Sequence, residues 1–182
     1  MSIHGARFRH ADDRAADTPC TFGDRIVMPP EIVNVCVHIH TDGPIPGPHS
    51  LLTLSSAAYT DGGGLISTFT ANVRELPGAT LHPVSLQHWR TRAEDWLTTR
   101  RASRPPALAT DAFVRWIQKL PGEPTLVVDP VGPDYLFLYW YLHRFAGHWP
   151  FARTSTDPGL RRRLPRPLCS LSSCRTTLAQ TS

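Results

Sequence analysis

The first sustained pattern in the chain begins at Ile32. Ile32-Val33-Asn34-Val35-Cys36-Val37-His38-Ile39 is rich in β-branched residues and carries apolar side chains at both parities. That composition predicts a central strand covered on both faces. Thr41 to Pro48 is a loop stiffened by Pro44, Pro46 and Pro48 and allowed to turn by Gly43 and Gly47. Leu51 to Tyr59 and Leu65 to Asn72 read as two more strands. Asp61-Gly62-Gly63-Gly64 joins them with a length that suits an antiparallel hairpin.

The period then becomes helical. His82-Pro83 starts a helix with proline at its permitted first position, and Leu86, Trp89, Ala93, Trp96 and Leu97 recur along one side. Arg100 to Pro106 interrupts the pattern. A second helix collects Ala109, Phe113, Trp116, Ile117 and Leu120 on one face and stops at Pro121-Gly122. Thr125 to Asp129 is a short buried strand and Pro130 to Pro133 a turn. Asp134 to Phe145 is a helix apolar nearly all round, with Gly147 as its stop. The order βββααβα predicts an α/β domain. Three antiparallel strands, a helical crossover and a fourth strand beside the first make a mixed sheet with helices packed on it.

This domain spans residues 31–157. Residues 1–30 show no apolar period, close with Pro29-Pro30 and read as a flexible extension without the apolar core of a secretory signal. Residues 158–182 are rich in Arg, Ser and Thr and read as a disordered basic tail. No apolar run is long enough to span a bilayer, so the expectation is a soluble, cytoplasmic protein.

Charge changes this picture in one respect. The chain of 182 residues has a formal net charge of +4, but five arginines (Arg161, Arg162, Arg163, Arg166 and Arg175) follow Gly159 with no acid among them. Without them, 14 basic residues face 15 acidic ones. The positive balance therefore belongs to the tail, and overall charge is no evidence for a nucleic-acid binder. The tail arginines offer a grip for phosphates; the alternative is a solvated tail with no role. Cys20, Cys36, Cys169 and Cys174 read as free thiols, and the Cys169-x4-Cys174 spacing does not suit a zinc site.

The chemistry concentrates in His38-Ile39-His40-Thr41-Asp42-Gly43-Pro44-Ile45-Pro46-Gly47-Pro48 and the strand that follows it. This stretch resembles the first motif of a bacterial branch of the DEDD 3′–5′ exonucleases, of the ribonuclease H-like class, where the strand end reads Asp-Ile-Glu-Thr-Asp-Gly-Pro-Ile-Pro-Gly-Pro. Phe69 to Ala79, His82-Pro83, Trp89 and Asp134 to Leu142 resemble the same branch. The resemblance runs from about Ile32 to Pro150. It implies a ribonuclease H-like sheet and 3′–5′ hydrolysis of single-stranded nucleic acid by two divalent cations, Mg²⁺ or Mn²⁺. In that chemistry one cation lowers the pKa of the attacking water and the other stabilises the leaving 3′ oxygen.

The resemblance also carries the site residues, and here the chain departs from it. His38 stands at the first acid, His40 at the second and Asp134 at the third, on the late helix. The fourth acid and its accompanying base have no match, and the elements that carry them are expected to be missing. Two imidazoles remove two negative charges from a site that must hold two hard cations, and imidazole prefers Zn²⁺ to Mg²⁺. Two expectations follow: an exonuclease-like domain whose activity is reduced or lost, or an inactive nucleic-acid-binding or interaction module on the same fold. For His38, His40 and Asp134 the alternatives are a transition-metal site, with zinc the natural ion, and a decayed site holding no metal. Asp42 is expected to cap its turn, and Asp129 lies near the site as a weak substitute acid. His49, His82 and His88 read as loop, cap and helix-surface residues, and His143 lies on the late helix with nothing in its spacing that turns it to the cleft. Tyr139-Trp140-Tyr141 reads as core before it reads as a base-stacking surface. A sheet without its last elements would expose an edge, which predicts marginal stability or a homodimer.

Overall fold

A computed structural model describes residues 31–167, and the flexible extension and most of the basic tail expected above lie outside that range. Five strands form one sheet: β1 (Ile32–Thr41), β2 (Leu51–Thr60), β3 (Leu65–Asn72), β4 (Glu123–Val127) and β5 (Arg153–Ser155). Their spatial order is β3-β2-β1-β4-β5. The β1–β2 and β2–β3 pairs are antiparallel, while β4 runs parallel to both β1 and β5. The chain thus builds outward from β1 on one side and then crosses to the other through three helices, α1 (Pro83–Arg90), α2 (Ala93–Arg101) and α3 (Pro106–Gln118).

The two faces of β1 differ in kind. Val33, Val35, Val37 and Ile39 enter the main core with Phe113 and Ile117 of α3. Phe137, Leu138 and Tyr141 of α4 (Pro133–Tyr141) complete that layer. Fully burying a side chain of this size stabilises by ~1.5–3 kcal/mol relative to exposure, which explains why the period-2 pattern of β1 sets its orientation. Asn34, Cys36, His38 and His40 face the other way, opposite Tyr59, Ala57, Ser55 and Thr53 of β2. This second face is largely polar, and the strand was expected to be apolar on both sides. It is covered near Cys36 by Leu160 and Leu164, which pack against Ala57, Tyr59 and Val127.

Three departures from the sequence expectation have local causes. The helix expected from His82 to Leu97 is two helices. The chain turns at Thr91 and Arg92, and Trp89 and Trp96 meet edge-to-face at 5.2 Å between ring centroids. The late helix is α-helical to Tyr141, continues as a π turn over Leu142–Ala146 and ends at Gly147, whose φ of 76° is the left-handed stop that favours glycine. After the late helix the chain adds two short elements not read from the sequence, β5 and a helix α5 (Pro158–Arg163). The stretch 158–167 is thus structured where a disordered tail was expected. Asp157 caps α5 through its carboxylate, accepting from the Gly159 and Leu160 amides at 2.8 and 3.2 Å, and Pro158 takes the first helical position. Among the described residues, no helix is long and apolar enough to cross a membrane.

Candidate functional site

The β1–β4 ladder ends at Cys36 and Val127, yet β1 continues to Thr41. A crevice therefore opens beyond the carboxyl ends of these two parallel strands, where the chain has built to both sides of β1. Open α/β sheets bind their ligands at such a switch point. Asp134, in the first turn of α4, closes the crevice from one side. Its Oδ1 accepts the Ile39 backbone N–H at 3.2 Å, so the carboxylate caps the strand amide that β4 no longer reaches.

His38 and His40 share the polar face of β1, as their spacing requires. Their rings meet edge-to-face at 5.2 Å. His38 Nδ1 lies 3.7 Å from Asp134 Oδ2, and this buried nitrogen makes no hydrogen bond. His40 rests against Trp89 of α1 at 5.8 Å. Burial first, and then the electrostatic influence of His38, His88 and Arg92, hold the His40 pKa below that of a free imidazole, with Asp134 pulling weakly the other way. At neutral pH this ring is an uncharged neighbour of the site.

The structure thus brings together the three residues that the resemblance singled out, but as a capping carboxylate and two mutually packed rings. Among the described residues, no group of three or more His, Cys, Asp and Glu side chains is arranged to hold a metal ion. A pair of hard divalent cations needs several converging carboxylates. One carboxylate already committed to a backbone amide, beside two imidazoles, does not fit it.

The other sequence candidates fall into place around this core. Asp42 is buried and accepts the Ser50 backbone N–H, while its own N–H bonds Ser50 O at 3.0 Å, so it closes the turn as expected. Burial raises its pKa, opposed by the Ser50 bonds. His49 packs over Gly43, where a Cβ would collide with the imidazole, and its Nδ1 donates to Thr80 O at 2.6 Å. His82 caps α1 through Nδ1, accepting the Val84 N–H at 3.3 Å. His88 is an exposed helix residue against Trp89. His143 turns to an aromatic row with Tyr139 and Trp149. In Tyr139-Trp140-Tyr141 only Tyr141 is core. Its hydroxyl accepts the Leu51 N–H at 2.8 Å, whereas Tyr139 is 46% exposed.

Asp129 has a partner that sequence reasoning missed. Arg161 Nη1 of α5 lies 2.7 Å from its Oδ2, and this guanidinium, ahead of the Val131 amide, holds the carboxyl below the usual carboxylate range. Arg161 and Arg166 both line the crevice that holds His38 and Asp134. The helix after β5 therefore presents arginine to the site. Asp157-Pro158 was the available signal, a capping residue followed by proline at the first helical position, but the charge run behind it read as tail. Of the four cysteines, Cys36 is free and buried, and burial pushes its thiol up to about 11; the other three lie outside the described residues.

No family profile matches this chain, and neither does any curated protein. Solved structures do. One, an exonuclease I structure that addresses how processivity is achieved, superposes with a TM-score of 0.53 at 10% identity over 70% of this chain and 28% of its own. The fold is that of exonuclease I, a ribonuclease H-like α/β fold. Escherichia coli exonuclease I in complex with a dT13 oligonucleotide matches with a TM-score of 0.51, again at 10% identity, over 68% of this chain and 27% of that one. A zinc-ion-bound form of the E. coli exonuclease I complex with single-stranded DNA matches at 0.50, 10%, 68% and 27%. This chain spans less than a third of the length of these proteins. At this identity the likeness carries the exonuclease I fold and no residue roles.

Proposed function

We propose that the chain binds single-stranded nucleic acid on an exonuclease I-like scaffold and that its two-metal 3′–5′ hydrolysis is lost or strongly reduced. One observation carries this reading: Asp134 is the single carboxylate at the three positions that the resemblance assigns to catalytic acids, and it is held by the Ile39 amide. Two-metal hydrolysis depends on anionic ligands that hold both cations close to the scissile phosphate. The His38 and His40 rings provide none of that charge.

The ligand class is supported by the exonuclease I structures that share this fold, which hold single-stranded oligonucleotides. It is also supported by the crevice itself, which opens at the switch point of the sheet and is bordered by arginines. Electrostatic attraction to phosphates does not require a catalytic metal. The test is fluorescence anisotropy with labelled single-stranded and duplex oligonucleotides in EDTA. The expected result is single-strand binding, weaker on duplex and weakened by salt. Absence of single-strand binding at micromolar protein would overturn the reading.

A further inference from the structure

The crevice beyond β1 and β4 encloses about 320 Å³ and is lined by His38, Asp129, Asp134, Arg161 and Arg166. We propose that it is a phosphate-binding pocket in which Arg161 and Arg166 take the place of metal cations. This deepens the reading above and rests on it only for the source of the phosphate, a nucleotide.

Two arginines and two carboxylates line the pocket, and the arginines keep donors free for an anion. The two carboxylates are already engaged, Asp129 by Arg161 at 2.7 Å and Asp134 by the Ile39 amide at 3.2 Å. Arg161 spends one Nη on that pair, and a guanidinium has five N–H donors, so its remaining edge is available to a second acceptor. Arg166 is exposed at the rim and makes no ion pair among the described residues, so its guanidinium is free to meet an incoming anion. His38 Nδ1 is a buried ring nitrogen without a hydrogen bond. Forked guanidinium donors match the oxygens of a phosphate, and such bonds are stronger than neutral ones.

The arginines are also held in place. Leu164 is 4% exposed and packs on Cys36 and Val127, and Pro165 O accepts the Tyr59 hydroxyl at 2.9 Å. The segment that carries Arg161 and Arg166 is thus pinned to the polar face of the sheet on both sides of Leu164. A second cavity of about 500 Å³, lined by Val84, Val131 and Leu136, shares Gly132 and Pro133 with the first. A phosphate in the polar cavity would put its nucleoside at the entrance of the apolar one, which favours a nucleotide over another phosphate ester.

The test is calorimetric titration of the full chain in EDTA, first with inorganic phosphate and then with thymidine 3′-monophosphate. Both are expected to bind, the nucleotide more tightly. Arg166→Ala, which removes no ion pair among the described residues, should weaken both by about tenfold, and Arg162→Ala, exposed on α5, should leave both unchanged. Asp129→Asn is expected to tighten binding, because it frees Arg161 and removes a negative charge; a purely structural ion pair would give no such gain. Phosphate binding that appears only with added Mn²⁺, or that survives Arg166→Ala and Arg161→Ala unchanged, overturns the pocket. Oligonucleotide binding without phosphate binding overturns the pocket and leaves the broader reading standing. Phosphate binding without oligonucleotide binding supports the pocket and removes the nucleic-acid reading.

Discussion

Asp134 accepts the backbone N–H of Ile39 across 95 residues of chain, at 3.2 Å, where the ladder between the two central parallel strands has ended. The bond ties the start of α4 to the end of β1. It gives the one surviving carboxylate a structural task, independent of any cation.

Asp134→Ala should therefore destabilise the fold by about 1–3 kcal/mol, the cost of leaving a part-buried amide without its acceptor. Asp134→Asn keeps a carbonyl oxygen in place and should recover most of that loss. Thermal melts of the two variants check this. Equal melting temperatures for wild type and Asp134→Ala would show that the bond contributes nothing.

Leu164 seals the second face of the sheet over Cys36. Leu164→Ala should cost about 2 kcal/mol or more by opening a cavity and should expose the thiol. Cys36, with its thiol pushed up to about 11, should resist alkylation at pH 8 in the wild type and react in the variant. Mass-spectrometric mapping of the labelled peptide reads this out; equal labelling in both proteins would mean that the segment does not cover the strand.

Tyr141 is buried, and burial pushes its hydroxyl up from an ordinary 10.0 to about 12. The folded protein keeps the proton over a range in which the unfolded chain releases it. Stability is thus fully present below pH ~10 and is lost as pH rises through ~12, by about 2–3 kcal/mol for this residue. Tyr59 shifts in the same direction. Denaturant unfolding between pH 8 and 11.5 should show the decline, and Tyr141→Phe should flatten it. An unchanged slope in that variant would assign the decline elsewhere.

The fold was largely legible, and the reasons are physical. The strands β1, β2 and β3 carry uninterrupted apolar or alternating runs, and α3 a clean helical stripe. The polar parity of β1 was hidden because Cys36 between Asn34 and His38 reads as apolar. β5 is the three-residue Arg153-Thr154-Ser155, too short and too polar to register as a strand. At the site, spacing put His38 and His40 on one face and the resemblance added Asp134, but neither could report that Asp134 caps Ile39. Arg161 and Arg166 were invisible as site residues because a run of arginines in one dimension looks solvated. Only the packing of Leu164 on the sheet brings their segment to the crevice.

Restoring His38→Asp and His40→Glu together should raise Mn²⁺ affinity without restoring hydrolysis, because Arg161 still presents a positive charge to the same crevice. Isothermal titration and a nuclease assay on the double variant check both halves. Robust hydrolysis by that variant would show that the two histidines are the whole defect.

The most direct test follows the length of the nucleic acid itself. Single-stranded DNA and RNA, labelled at the 5′ end, are incubated with the purified full chain and Mn²⁺, beside the Asp134→Ala variant, and resolved over time. The account predicts that the oligonucleotides keep their length. Stepwise trimming from the 3′ end by the wild type, abolished in Asp134→Ala, would contradict it.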